Sequence, residues 1–301
     1  MDSQSAVAPI LTGSPASASK AFMPAWWWVL MLVLLAGQVR AEEKALSFGV
    51  ISQRSPLITA QYWNPILRYI SQRSGVPLQL KLARTGPEHS AMVRRGEFDF
   101  MYSNHNFAPG NDSVGYSVLA RPAEAAIRGQ IVVLANSPIT SLAELKDKDV
   151  VFPSTVAFVG YSVPMDALLR ADIKVNAQFA GNQEGAMGQL VSGRAVAAAV
   201  NSEVLADFAI RQNIQFHVLW SSQEFLSIPI SSHPSVPRQK VQAVREAFIQ
   251  MGSDPEGAGI LAESAGLIKQ KAPVGFVAAQ DKDFENVRRF YRISLVQATT
   301  P

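Results

Sequence analysis

Leu46-Ser47-Phe48-Gly49-Val50-Ile51 and Phe98-Asp99-Phe100-Met101-Tyr102 decide how this chain folds. Both are short apolar runs bounded by polar or turn-forming residues, the signature of buried strands. Between them, Trp63, Ile66, Leu67 and Ile70 recur at helical spacing to give one buried face, and that pattern stops at Gly75, just before Pro77. Leu78-Gln79-Leu80-Lys81-Leu82 alternates strictly, as a half-exposed strand does, and a short helix is predicted around Ala91-Met92-Val93. Strand, helix, strand, helix, strand is the rhythm of parallel sheets covered by helices.

The same rhythm continues outward. Gln130 to Leu134, Asp149 to Phe152, Asn176 to Phe179, Ala197 to Val200 and Phe216 to Trp220 read as strands. Helices are predicted from Pro153-Ser154-Thr155 through Leu168 and Leu169, from Glu184 to Leu190 and from Glu203 to Ile210. Ser141 and Glu144 have the spacing of a capping box. After Trp220 the pattern changes to Ile228-Pro229-Ile230, a helix from Gln239 to Met251 and a last helical segment from Asp283 to Arg292. We therefore expect an α/β protein of two lobes, with mixed, mostly parallel sheets covered by helices. Residues 42–127 and 228–301 form one lobe and 128–227 the other, so the chain crosses twice and leaves a hinged inter-lobe cleft.

Residues 1–41 have the layout of a secretory signal peptide: Lys20, an apolar run from Ala25 to Ala36, then Val39-Arg40-Ala41, with cleavage expected after Ala41. That run is too short for a spanning helix, which needs roughly 20 apolar residues. The 301-residue chain has no cysteine, which excludes disulfides, thiolate chemistry, cysteine metal sites and a lipidated N-terminus. A free periplasmic protein is the expectation. The net charge of +3 falls on scattered residues, which argues against nucleic acid as a partner. No Gly-x-Ser-x-Gly elbow, HExxH pair or Walker loop is present, and the chain reads as a binding protein, not an enzyme.

From Leu46 to Arg292 the chain resembles the periplasmic phosphate, phosphite and phosphonate solute-binding family of ABC transporters. The likeness is carried by Phe48-Gly49-Val50, by Gly96-Glu97-Phe98-Asp99-Phe100-Met101-Tyr102, and by Ser137-Pro138-Ile139 ahead of Leu142-Ala143-Glu144-Leu145-Lys146. It continues in Val151-Phe152-Pro153-Ser154 before a helix with Pro164, in Ala180-Gly181-Asn182-Gln183-Glu184, and in Gly275-Phe276-Val277 ahead of Asp283-Phe284 and Val287-Arg288. The resemblance implies a type II periplasmic binding fold, a small oxyanion as ligand, and an ABC permease in the inner membrane as partner. A membrane sensor kinase is the alternative partner; a monomer without cofactor or metal is expected. Three positions depart from the family pattern. Ala157-Phe158-Val159-Gly160 occupies the slot of the family's Ser-Thr-Ser-Gly anion turn, Gln183 stands where the family has histidine, and Val196 where an acidic residue is common.

An oxyanion can be held without full countercharge by helix N-termini, backbone N–H groups and neutral donors. Tyr102-Ser103-Asn104-His105-Asn106 is the densest polar run directly after a buried strand, and Ser154 and Thr155 follow another. Gln183 opens a helix and Asn201 ends a strand. Tyr102, Ser103, Asn104, His105, Ser154, Thr155, Phe158, Gln183 and Asn201 are the predicted ligand contacts, with capping the alternative role for Ser154, Thr155 and Asn201. Glu184 would repel an anion and is assigned to its helix start. Tyr62, Trp63 and Tyr161 are read as core, and His89, His217 and His233 as surface residues.

Overall fold

The computed structural model describes residues 44–123, 126–269 and 275–296; the segment read as a signal peptide lies outside them. Strand β1 (Leu46–Val50) lies between β2 (Leu78–Lys81) and β3 (Phe100–Tyr102), parallel to both. Phe48 and Val50 of β1 are buried, as the apolar run demands. Helix α1 (Pro56–Ser74) connects β1 to β2; Ser55 caps its start, and Gly75 ends it in the left-handed conformation (φ 69°) that a side chain resists. Trp63, Ile66, Leu67 and Ile70 form its buried face. Helix α2 (Gly86–Arg94) then leads to β3.

Sheet one has six strands in the order β11-β4-β10-β3-β1-β2. Beyond the parallel trio, β10 (Ile230–Ser232) runs antiparallel to both β3 and β4 (Ser117–Pro122), and β11 (Phe276–Ala278) antiparallel to β4. Helices α6 (Arg238–Met251) and α7 (Pro255–Leu267) pack on α1. Sequence periodicity points to neither β4 nor α7, although Asp254 and Pro255 are an N-cap and first-turn pair.

Sheet two has five strands in the order β7-β6-β8-β5-β9. They are β5 (Gly129–Leu134), β6 (Asp149–Phe152), β7 (Asn176–Phe179), β8 (Ala197–Asn201) and β9 (Phe216–Ser221). The trio β7, β6, β8 is parallel; β5 runs antiparallel to β8 and β9. The capping-box spacing at Ser141 yields only a 3-10 turn over Ala143–Leu145, with the Ser141 hydroxyl donating to the Glu144 carboxylate (2.6 Å) instead of capping backbone.

The helix predicted directly after Pro153 begins later. Residues 154–157 form a turn, followed by a π-helical turn over Phe158–Ser162 in which the N–H groups of Tyr161 and Ser162 both donate to the Ala157 carbonyl (2.9 Å each). Helix α3 (Val163–Arg170) follows, with Pro164 in its first turn, where a missing N–H costs nothing. Helices α4 (Gln183–Val191) and α5 (Ser202–Gln212) flank β8 in sequence.

Two segments pass between the sheets, and they pair: Ile127 and Phe225 exchange backbone hydrogen bonds (2.7 and 2.8 Å). Behind this crossing lies α8 (Glu285–Ile293), which touches both lobes. The Phe284 ring preceding it stacks on Phe107 of lobe one at 5.2 Å, while Phe290 and Tyr291 pack on Phe158 of lobe two. Arg288 bonds Asp112 (3.0 Å), and Arg170 donates to the Ile293 carbonyl (2.7 Å). Among the described residues, no helix is long and apolar enough to cross a membrane.

Gly129 opens β5 at the crossing, where a Cβ would come 2.5 Å from the Val159 carbonyl oxygen. Since that neighbour is backbone, Gly129→Ala forces the π-helical turn to shift. We expect a loss of about 1–3 kcal/mol, read as a lowered Tm in a thermal melt; an unchanged Tm would mean that the turn yields freely.

Candidate functional site

The carboxyl ends of the parallel strands in both sheets face one cleft, as ligand-bearing edges of open α/β sheets do. A cavity in this cleft takes Ser52, Gln53 and Asn104 from the loops after β1 and β3, and Ser154, Asn182, Gln183 and Asn201 from lobe two. Among the described residues lining it, none is charged. Three helices begin at its wall: α2 with Gly86, α4 with Asn182 and Gln183, and α5 with its N-cap Asn201. Each N-terminus presents about half a positive charge, so three helix dipoles meet a wall that carries no cationic side chain.

The donors are held by the folds of their own loops. Asn201 caps α5, its Oδ1 accepting from the Glu203 N–H (2.9 Å), and its own N–H donates to Gln183 Oε1 (3.0 Å). These two bonds fix both amides. Asn182 caps α4 by accepting from the Gly185 N–H (2.8 Å). Asn201 Nδ2 and Ser52 Oγ are left buried with no hydrogen-bond partner among the described residues. Buried donors in this condition are costly unless something binds them.

The nine predicted contacts separate into three groups. Asn104, Ser154, Phe158, Gln183 and Asn201 line the donor cavity together. Tyr102 lines an adjoining one; burial first, then the charge of Glu203, push its phenol far above the ordinary range, and it shares a hydrogen bond with Ser227. Ser103, His105 and Thr155 line neither. Thr155 is half-buried in the turn before Phe158, and neither it nor Ser154 caps a helix, because the first helical turn starts four residues beyond Ser154. Ser103 and His105 are turned into lobe one. The Ser103 hydroxyl lies 3.0 Å from Nε2 of His89 and accepts from the His105 N–H (3.1 Å).

His89 is thus no surface residue. It is 1% exposed, stacks on Phe98 at 5.0 Å and meets the His105 ring edge-on at 5.3 Å. The other histidines differ: His217 is exposed and His233 half-buried against Tyr116. Trp63 is core as read, but it and Tyr62 also line the cavity beside Tyr102. Ser52, Gln53 and Asn182 were not predicted; the polar run Ser52-Gln53-Arg54-Ser55 after β1 carries the same signal that singled out residues 102–106.

With this geometry in view, the family comparison is decisive. A family model described as the periplasmic substrate-binding protein of a phosphonate ABC transporter matches residues 48–284. The chain belongs to that family. A phosphonates-binding periplasmic protein of Escherichia coli is 24% identical over 253 residues, 77% of this chain and 73% of the relative. The binding protein component of an ABC phosphonate transporter from Pseudomonas aeruginosa superposes with a TM-score of 0.70 at 18% identity, covering 81% of this chain and 84% of its own. A Prochlorococcus marinus protein solved with methylphosphonate gives 0.69 at 16% identity, with 83% and 97% covered. Their fold is the two-lobed, type II periplasmic binding architecture, and the family is one of periplasmic solute-binding proteins that serve ABC permeases.

In this phosphonate-family protein ion pairs join the two lobes. Arg54, in the loop after β1, donates to Asp207 of α5 (2.7 Å) and lies 3.7 Å from Glu184 of α4, which is also bonded by Arg211. The Glu184 N–H reaches back to the Gln53 carbonyl (3.3 Å). Glu184 therefore has a cross-lobe role beyond the helix start assigned to it, and its charge is spent on arginines instead of facing the cavity. Burial pushes the Asp207 carboxyl up; Arg54 and Arg211 oppose this.

Burial lowers both imidazoles under the cleft. His105 is pushed down to about 4, and His89 well below the usual range by burial and by the neighbouring His105. The folded state holds both neutral, whereas the unfolded chain takes up protons near pH ~6.5. Their contribution to stability is complete above that pH and is lost as pH falls towards 4. We expect Tm to decline from pH 7 to pH 4.5, with a shallower slope in His105→Asn; equal slopes would show that these rings do not govern acid sensitivity.

Proposed function

We propose that the protein captures a small tetrahedral oxyanion of the phosphonate, phosphite or phosphate class in the periplasm and delivers it to an ABC permease. The observation that carries this reading is the convergence of three helix N-termini on a cavity with no charged lining residue, where Ser52 Oγ and Asn201 Nδ2 have no hydrogen-bond partner among the described residues. An anion completes those bonds and meets the dipoles. The E. coli relative, a phosphonates-binding protein, and the Prochlorococcus protein solved with methylphosphonate support the same ligand class.

The donors come from both lobes, Ser52 and Asn104 from the first, Ser154, Gln183 and Asn201 from the second. Binding then adds bonds across the cleft and favours the closed form, which is the form a permease would read. In this reading residues 42–127 and 228–301 move as one lobe against 128–227, and residues 1–41 are removed on export. The family's anion turn is replaced by Ala157-Phe158-Val159-Gly160, so Ser154 and the amides of Gln183 and Asn201 take over as donors.

Calorimetric titration of ligand-stripped protein against phosphate, phosphite, methylphosphonate and sulfate tests the reading. At least one phosphorus oxyanion should bind, and Ser154→Ala and Gln183→Ala should each weaken it by about three- to tenfold, the scale of one neutral hydrogen bond. No binding by any of the four would overturn the proposal.

Arg54→Ala removes the charge link between lobes and leaves Asp207 and Glu184 without it. Small-angle scattering of the unliganded variant should give a larger radius of gyration than wild type, with affinity for the oxyanion reduced. Identical scattering would show that closure does not depend on Arg54.

A further inference from the structure

Another space opens on the α2 side of the donor cavity, and Ser52, Gly86, Gly181 and Asn182 belong to both walls. Unlike the donor cavity it is lined by two arginines, Arg54 and Arg84, and by no carboxylate. Arg54 reaches Asp207 with one amino group and has Glu184 at 3.7 Å, yet its Nε is buried without a hydrogen-bond partner. Arg84 is exposed, and its guanidinium pairs with no carboxylate among the described residues; Glu88 accepts from the Arg84 backbone N–H (2.8 Å) and stays off the cavity wall. Thr85, the N-cap of α2, and Gly86, its first residue, bring the free N–H groups of that helix to the same wall.

His89, one turn along α2, completes the lining with a side chain only 1% exposed. Ser103 Oγ accepts from the His105 N–H and, among the described residues, has Nε2 of His89 as the one acceptor for its own proton. The proton of the neutral His89 ring therefore sits on Nδ1, which is buried and unpartnered. Ser52 Oγ, Arg54 Nε and His89 Nδ1 thus all lack a partner on residues lining one space, a costly arrangement unless an acceptor fills it.

We infer that this space takes a second phosphoryl group of the solute, so that the ligand is a diphosphate with one head in the donor cavity and the other against Arg84, Arg54 and His89. The inference rests on the oxyanion reading of the donor cavity. Cationic side chains beside a helix N-terminus favour a group with full negative charge and several acceptor oxygens. The four shared wall residues keep the two spaces adjacent, as two phosphoryl groups joined through one bridging atom require.

The test is calorimetric titration of ligand-stripped wild type and Arg84→Ala with phosphate, methylphosphonate, diphosphate and methylenediphosphonate. In wild type the two diphosphoryl ligands should bind one per protein and roughly tenfold or more tighter than phosphate, the scale of one charge-assisted hydrogen bond. Arg84→Ala should weaken them by about tenfold and phosphate by less than about twofold. Diphosphoryl ligands that bind no tighter than phosphate, two phosphates per protein, or equal weakening of all ligands in Arg84→Ala would each overturn this inference and leave the oxyanion reading intact. If none of the four binds wild type, the oxyanion reading itself falls and this inference with it. Should Arg84→Ala fail to fold, the wild-type affinities and stoichiometry still decide.

Discussion

Arg54 makes the contact on which the site depends. Its guanidinium leaves lobe one, enters a nest of side chains on α4 and α5, and meets Asp207 and Glu184 there. Burying such charges is unfavourable unless each finds its partner, and Arg211 supplies the remaining one. With these pairs in place the loop after β1 lies against the start of α4, and Ser52 and Gln53 are brought to the same volume as Gln183 and Asn201. Separated lobes would expose half of the donors to water on either side.

The cluster also explains how the cavity can remain free of charge. Glu184 stands at the first turn of α4, one residue from Gln183, and an unpaired carboxylate there would repel an anion. Two arginines neutralise it from the far side. The field within the cavity is left to backbone dipoles, whose contribution is fixed by the fold and does not titrate. A site of this kind depends on direction and number of hydrogen bonds, and the fixed amides of Asn201 and Gln183 provide both.

Much of the fold was legible because its signals are local. The period of Trp63, Ile66, Leu67 and Ile70, the stop at Gly75 and the apolar runs of β1, β5, β6 and β8 are each contained within a few residues. Helix α7 lacks such a signal, since Gly257, Ala258, Gly259 and Ala262 blur any apolar stripe, and β4 ends in Arg121-Pro122, which masks it as a loop. In the site, Asn104, Ser154, Gln183 and Asn201 could be found as polar residues after strands. The same rule selects Ser103 and His105, which line neither cavity; Ser103 meets His89, 14 residues away. Arg54 and Asp207 are separated by 153 residues, and no local pattern announces their pairing.

Phe158 forms part of the donor cavity and, on its other sides, rests against Phe225 of the crossing and against Phe290 and Tyr291 of the last helix. One aromatic side chain therefore separates this cavity from the helix that touches both lobes. A change of side-chain volume at position 158 would alter the cavity wall and the seating of the last helix together.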